Sequence, residues 1–92
     1  MARNRLEIFY AGRVQGVGFR YTVKQIACGY EVTGTVRNLT DGRVHLLAEG
    51  EREELEAFSD AIRRSELASF IRQEEARYSP AQGELRGFEI VR

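Results

Sequence analysis

Residues 12–20 read Gly-Arg-Val-Gln-Gly-Val-Gly-Phe-Arg and join a strand-like stretch to a helix-like stretch. Gly16 and Gly18 allow the backbone to turn sharply and to approach a ligand without interference from a Cβ atom. A helix that begins near Phe19 would direct its unpaired N–H groups and the positive end of its dipole into this turn. Arg20 adds a planar, permanently charged guanidinium at the same place. The stretch therefore predicts a pocket for a small phosphate or carboxylate.

The same stretch has a purely structural interpretation, because glycine-rich connections between strands and helices are common. An arginine at a helix start opposes the helix dipole and destabilises the helix by about 0.3–1 kcal/mol. This cost favours a functional role for Arg20. The stretch lacks the Gly-Lys-Ser/Thr ending of a nucleotide P-loop and the third glycine of the dinucleotide fingerprint. The pocket is therefore expected to take a ligand smaller than a nucleotide.

The composition is typical of one soluble globular domain, residues 1–92. The formal net charge is zero, so the chain lacks the basic field that attracts nucleic acid. No apolar run approaches the ~20 residues of a membrane span, and the N-terminus has no signal-peptide pattern. The single cysteine, Cys28, indicates a reducing, cytoplasmic setting. We expect no nucleic-acid partner, no membrane partner and a monomer.

Apolar periodicity predicts alternating strands and helices along the chain. Thr40-Asp41-Gly42 predicts the turn of a hairpin between the second and third strands. Gly50 is expected to end the third strand, and residues 79–83 form a loop by composition. The stretch 67–78 is more polar and predicts a strand near a sheet edge. The predicted elements are strands at 6–11, 32–38, 44–49, 67–78 and 87–91, and helices at 19–30 and 51–64.

This order is the split βαβ plan. The predicted fold class is α+β: a ferredoxin-like two-layer sandwich with an antiparallel sheet of four to five strands and two helices on one face. Right-handed crossovers place the first strand centrally. Polar residues alternate along the strands, which predicts a second sheet face turned to water.

Asn38 is the candidate partner of Arg20, because it lies where the second strand runs into the Asp-Gly hairpin. Asparagine also favours turns by bonding its own backbone, so Asn38 is equally compatible with a turn role. These residues alone leave both interpretations open.

Residues 12–20, followed by Gly34-Thr35-Val36-Arg37-Asn38, resemble the acylphosphatase signature. Arg20 and Asn38 are eighteen positions apart, as in that family, and the resemblance covers residues 6–90. It implies a small cytosolic enzyme that hydrolyses the carboxyl–phosphate anhydride of acyl phosphates without a metal or cofactor. It also implies that Arg20 holds the phosphoryl group and Asn38 holds the attacking water.

Two positions depart from the family pattern. Thr35 stands where the family usually has tryptophan, and Glu31 stands where a glycine usually closes the first helix. A non-glycine residue in a left-handed helix cap costs on the order of 1 kcal/mol, so the first helix is expected to end differently or less stably.

The candidate site contains no general base, because Asn38 can orient water but cannot take its proton at working pH. An acyl phosphate suits such a site, since its carboxylate leaving group departs unprotonated and phosphoryl transfer has a loose transition state. We expect the Arg20 guanidinium to grip the phosphoryl oxygens together with the N–H groups of a phosphate-binding loop, Gln15, Gly16, Val17, Gly18 and Phe19.

Three alternative functions share this fold or this pocket. The same pocket would serve a non-catalytic phosphate-binding or anion-binding module. A related alternative is a domain that works inside a larger carbamoyl-transfer protein, although the start at Met1 and the end soon after the last strand favour a free-standing role. An RNA-recognition module is disfavoured, since the third strand carries no aromatic residue for base stacking.

Two further residues rank low as functional candidates. Cys28 has no histidine nearby in sequence and is expected to be a small helix residue. His45 is the only histidine and has no second ligand at metal-binding spacing, so no metal site is expected.

Overall fold

The order of elements in the computed structural model, which describes residues 3–92, follows the predicted order. The described chain forms five strands, two α-helices and one short 3₁₀-helix. Their bounds are β1 (Arg3–Gly12), α1 (Phe19–Ala27), β2 (Thr33–Asn38), β3 (Val44–Glu51), α2 (Arg52–Arg63), the 3₁₀-helix (Glu66–Phe70), β4 (Ile71–Pro80) and β5 (Phe88–Ile90).

The five strands form one sheet in the order β4-β1-β3-β2-β5. β1 pairs antiparallel with β3 and β4, and β3 pairs antiparallel with β2. The expectation of an antiparallel sheet is wrong for β5, which runs parallel to β2. β4 and β5 occupy opposite edges, so residues 81–87 must cross one end of the sheet between them. β5 consequently starts at the end where β2 starts, and the two strands run in the same direction.

The core lies between one sheet face and both helices, as predicted. The apolar stripe of α1 packs mainly against β2 and β5, and that of α2 packs against β3 and β1. Each fully buried leucine, isoleucine or phenylalanine contributes about 1.5–3 kcal/mol relative to exposure. The core side chains contributed by β1, β3, α1 and α2 are at most 4% exposed: Leu6, Ile8, Tyr10, Val44, Leu46, Ala48, Phe19, Val23, Ala27, Leu55, Phe58 and Ile62.

The first helix ends without a left-handed residue, so the cost expected at Glu31 does not arise. α1 stops at Ala27, and the next residue, Cys28, has a right-handed backbone with φ −61°. No residue other than glycine has a positive φ within residues 3–92. The backbone N–H of Glu31 instead donates to the carboxylate of Glu54 in α2 at 2.8 Å.

Several element boundaries differ from the prediction. β1 begins at Arg3 rather than at residue 6, and α1 ends at Ala27 rather than at residue 30. The predicted strand at 67–78 is wrong at its start, where residues 66–70 form the 3₁₀-helix and β4 begins only at Ile71.

Gly50 does not end β3, because the strand continues to Glu51 and Gly50 pairs with Asn4. A Cβ atom on Gly50 would lie 2.8 Å from the carbonyl oxygen of Glu31, so glycine is required there for space. The predicted loop at 79–83 begins later, since β4 extends to Pro80, where an edge strand tolerates proline.

Residues 81–87, which we call the crossing loop, cover part of the sheet face that was expected to be in water. Glu49 of β3 is only 1% exposed beneath this loop. Its carboxylate accepts from Arg5 Nε at 2.7 Å, from the Gln82 N–H at 2.8 Å and from the Gly83 N–H at 3.0 Å. Burial by itself would raise the pKa of Glu49, but these three donors outweigh burial and the pKa lies below its ordinary value. Glu49 therefore holds the crossing loop as a carboxylate.

Replacing Glu49 should destabilise the protein in a pH-dependent way. We expect Glu49→Gln to lower the free energy of unfolding at neutral pH by about 1.5–3 kcal/mol, because charge-assisted hydrogen bonds are lost. A lowered folded-state pKa contributes stability that is present above the unfolded pKa, about 4.3, and is lost as pH falls through the folded pKa. The difference in the free energy of unfolding between parent and variant should therefore become smaller at acid pH. Urea unfolding at a series of pH values measures this gap. Glu84→Gln, at a 70% exposed side chain 3.6 Å from Arg5, is the control. A gap that stays constant down to acid pH would contradict the role of the carboxylate.

Tyr10 carries a buried hydroxyl that has no hydrogen-bond partner among the described residues. Burial, with a smaller effect of Glu74, raises the pKa of this hydroxyl. Tyr10→Phe removes an unsatisfied group and keeps the ring, whose centroid is 5.2 Å from that of Phe19. We expect the free energy of unfolding to rise by about 1 kcal/mol, with Tyr30→Phe unchanged as the half-buried control. A fall in stability for Tyr10→Phe would show that the hydroxyl is satisfied.

Candidate functional site

A pocket lies at the end of the sheet where α1 begins. β1, β2 and β5 all run in the same direction, and their carboxyl ends lie at this end of the sheet. The pocket has a volume of about 150 Å³. Its lining residues come from the loop after β1, the first turn of α1, the end of β2 and β5: Val14, Gly16, Gly18, Phe19, Arg20, Tyr21, Asn38 and Ile90.

Two left-handed glycines shape the loop on one side of the pocket. Gly16 has φ 79° and Gly18 has φ 77°, and Gly18 is the residue that caps the start of α1. A Cβ atom built on either glycine would have nothing within 4 Å. Backbone conformation rather than space therefore demands glycine, since a left-handed residue with a side chain costs roughly 1–2 kcal/mol.

The loop and the first turn of α1 present unpaired N–H groups. Among the described residues, the amides at positions 15–21 donate to no backbone or side-chain acceptor. The first paired amide of the helix is that of Thr22, which donates to the Gly18 carbonyl oxygen at 3.0 Å. Together with the positive end of the helix dipole, these donors create a local surplus of partial positive charge suited to an anion.

Arg20 brings a full positive charge to the same pocket. Its side chain is half-buried and lines the pocket. Arg20 takes part in none of the ion pairs formed by residues 3–92. Its guanidinium fork is therefore available for bidentate contact with oxygen atoms of a bound anion.

Asn38 is the last residue of β2 and lines the pocket together with Arg20. It lies on the same sheet face as Gly34 and Val36, which are buried towards the helices. Its Oδ1 atom is buried and has no hydrogen-bond donor among the described residues. This oxygen does not close a turn by bonding the local backbone, and it can accept a hydrogen bond from a ligand or a water.

The side chain of Gln15 makes structural hydrogen bonds, whereas its backbone N–H group was predicted to bind phosphate. Its Nε2 donates to the carbonyl oxygens of Leu39 at 2.8 Å and Arg43 at 2.9 Å. Gln15 therefore ties the loop to the β2–β3 hairpin that follows Asn38. Neither Gln15 nor Val17 lines the pocket, and Val17 packs against the core. A phosphate contact from their backbone amides stays a prediction.

Sequence reasoning did not assign Tyr21 or Ile90 to the site. Tyr21 lies outside the buried stripe of α1, and an aromatic residue in that position was an available signal. Ile90 lies near the other end of the sequence and reaches the pocket only through the parallel pairing of β5 with β2.

The two low-ranked candidates lie outside the pocket. Cys28 is the exposed residue after α1, and its thiol contacts the Lys24 carbonyl oxygen at 3.5 Å. His45 Nε2 lies 2.8 Å from Glu7 Oε2, and its ring centroid lies 4.7 Å from that of Phe9, with the two planes tilted by 35°. The described part of the chain contains no group of three or more histidine, cysteine or acidic residues that could hold a metal ion. It also contains no helix long and apolar enough to cross a membrane.

Comparisons with known proteins agree on one family. Residues 6–90 match the family model described as Acylphosphatase. An acylphosphatase of Pseudomonas paraeruginosa is 42% identical over 92 residues, covering 100% of this chain and 99% of the relative. The crystal structure of acylphosphatase from Bacillus subtilis superposes with a TM-score of 0.88 at 36% identity, covering 97% of this chain and 99% of that one. Full-length HypF matches with a TM-score of 0.83 at 30% identity, covering 97% of this chain but 12% of HypF.

The contact between Gln15 and the hairpin can be tested by removing the two hydrogen bonds of the Gln15 side chain. We expect Gln15→Met, which preserves length but donates nothing, to lower the free energy of unfolding by about 1–3 kcal/mol. The affinity for inorganic phosphate should fall as well, because the loop is no longer held against Asn38. Urea unfolding and calorimetric titration measure the two effects, with Gln25→Met on exposed α1 surface as the control. Unchanged phosphate affinity in Gln15→Met would contradict the positioning role.

Proposed function

Because the chain belongs to the acylphosphatase family, we propose that it splits the carboxyl–phosphate bond of acyl phosphates at the pocket shared by Arg20 and Asn38. The products are a carboxylate and inorganic phosphate. The observation that carries this assignment is the meeting, in one small pocket, of a guanidinium, a run of amides and a buried amide oxygen that all lack partners within residues 3–92.

The phosphoryl group is proposed to bind at the start of α1. The N–H groups of Gly16, Gly18 and Phe19 would donate to its oxygens, and the Arg20 guanidinium would make charge-assisted contacts. Contacts of this kind contribute about 1.5–3 kcal/mol each in ordinary settings. They stabilise the transition state most, because negative charge is spread over the phosphoryl oxygens as the bond to the leaving group lengthens.

Asn38 is proposed to orient the attacking water. Its Oδ1 would accept a hydrogen bond from the water and leave a water lone pair free to attack phosphorus in line with the leaving carboxylate. Such positioning lowers the barrier without proton transfer to the protein. The absence of a donor for Oδ1 within the described residues supports this role.

The reaction balances without a protein base. The water oxygen forms a bond to phosphorus, and the bond from phosphorus to the acyl oxygen breaks with its electron pair leaving on the carboxylate. The water proton passes to a phosphoryl oxygen, so an acyl phosphate dianion and water give a carboxylate and monobasic phosphate. The low basicity of the carboxylate leaving group makes an acid unnecessary.

We also propose that this enzyme is metal-independent and works as a monomeric domain in the cytoplasm. The donors at Arg20 and the α1 start supply the positive charge that a metal would otherwise bring. The exposed, unpaired Cys28 suits a reducing compartment. Tyr21 is the one exposed aromatic residue within residues 3–92, and it lies on a helix, so the strands offer no platform for stacking nucleic-acid bases.

Substitution of Arg20 and Asn38 tests the two roles separately. Arg20→Ala should lower kcat/KM for benzoyl phosphate by about 10²–10³ and abolish competitive inhibition by inorganic phosphate. Asn38→Ala should lower kcat by a similar factor while phosphate inhibition is retained. Hydrolysis is followed by loss of the acyl phosphate, with and without EDTA, which should not change the parental rate.

The controls separate enzyme from binding module. Arg20→Lys keeps the charge but loses the planar fork and should recover only part of the phosphate affinity. Arg64→Ala, at an exposed site after α2, should behave as the parent. Parental turnover by Asn38→Ala would disprove its role. Phosphate binding by the parent without hydrolysis of any acyl phosphate would favour the non-catalytic anion-binding alternative.

A further inference from the structure

Two large apolar side chains are exposed in the described part of the chain, and both line the pocket. Tyr21 is 63% exposed and Ile90 is 39% exposed. Single exposed apolar residues are common and need no explanation. Here, however, one comes from α1 and the other from β5, and both lie beside the same pocket as Arg20 and Asn38.

Neither side chain is needed for the core. The buried stripe of α1 consists of Phe19, Val23 and Ala27, and Tyr21 lies off it. β5 contributes Phe88 to the core, whereas Ile90 is exposed at the end of the strand. Folding therefore explains the position of neither residue beside the pocket.

The size of the pocket indicates that the phosphoryl group and the acyl group of a substrate bind in different places. At about 150 Å³ it is smaller than the roughly 300–1,000 Å³ of sites that enclose a drug-sized ligand. A phosphoryl group held at the start of α1 would occupy a substantial part of it. The acyl group would then project to the mouth, where apolar surface from Tyr21 and Ile90 is available.

A second opening beside Asn38 is less suited to the acyl group. It is lined by the polar residues Arg37, Thr40, Asp41 and Arg92 together with Leu39. Arg37 and Arg92 are exposed, and contacts of solvated arginines with a charged acyl group contribute little.

We propose that Tyr21 and Ile90 form an acyl-binding subsite and that the enzyme prefers acyl phosphates whose acyl group is apolar, above all aromatic. This inference rests on the proposed function and goes beyond it by naming the substrate class. An aromatic acyl group would pack against the Tyr21 ring and the Ile90 side chain and remove their apolar surface from water.

The crossing loop determines where Ile90 stands. Glu49 holds Gln82 and Gly83, and the Gly34 N–H donates to the Gly87 carbonyl oxygen at 2.8 Å. These contacts set the register in which Ile90 lies opposite Val36, two residues before Asn38. The acyl subsite is thus built on a strand rather than on a free terminus.

The test compares benzoyl phosphate with acetyl phosphate in the full chain. Tyr21→Gln keeps a good helix former in α1, and Ile90→Thr keeps a β-branched residue in β5. The double variant should lose about tenfold in kcat/KM for benzoyl phosphate, mainly through KM, and less than about twofold for acetyl phosphate. Inhibition by inorganic phosphate should be unchanged. Gln25→Ala in α1 and Glu89→Gln in β5 are matched controls at exposed positions of the same elements.

The outcomes distinguish this inference from the proposed function. An equal loss for both substrates, or no loss for benzoyl phosphate, would overturn the acyl subsite while leaving the hydrolase assignment standing. Failure of the parent to hydrolyse either compound would overturn the proposed function and the subsite with it. Far-ultraviolet circular dichroism of the double variant, expected to match the parent, verifies that the fold is intact.

Discussion

A run of amide groups at the start of α1, which find no acceptor in the part of the chain that the structure describes, is the constraint on which the site depends. Backbone N–H groups that find no partner in the protein are stabilised by water or by a ligand, and here they are held together by the left-handed Gly16 and Gly18. The loop does not satisfy these donors by winding an earlier helical turn, because the chain before Gly16 is held in place. Gly12 packs against β4 at one end, and Gln15 is tied to the hairpin. The anion site is therefore a consequence of how the chain passes from β1 to α1.

Much of this arrangement was predictable from local sequence. The alternation of Leu6, Ile8 and Tyr10 and the helical spacing of Leu55, Phe58 and Ile62 predicted the sheet face and the stripe that form the core. The glycines, Arg20 and Asn38 were identifiable as candidates because their chemistry and spacing match a known signature.

The remaining features depend on contacts between distant parts of the chain, which periodicity does not report. β5 pairs parallel with β2 because residues 81–87 cross the sheet, and no local pattern signals a crossing. The burial of Glu49 has the same origin: alternation places it on the water-facing side, and only the crossing loop covers it. The missing glycine at Glu31 predicted that α1 ends either differently or with strain, and the structure shows the first outcome, a right-handed ending.

The double hydrogen bond from Gln15 also restricts how this protein can change over evolution. Leu39 and Arg43, whose carbonyl oxygens accept from Gln15, flank the three-residue tip of the hairpin. An insertion or deletion in that tip would move at least one of the two oxygens and loosen a loop distant in sequence. Turns usually tolerate length variation better than the elements they join. In this chain the tip of the hairpin is expected to tolerate less variation in length than an ordinary exposed turn.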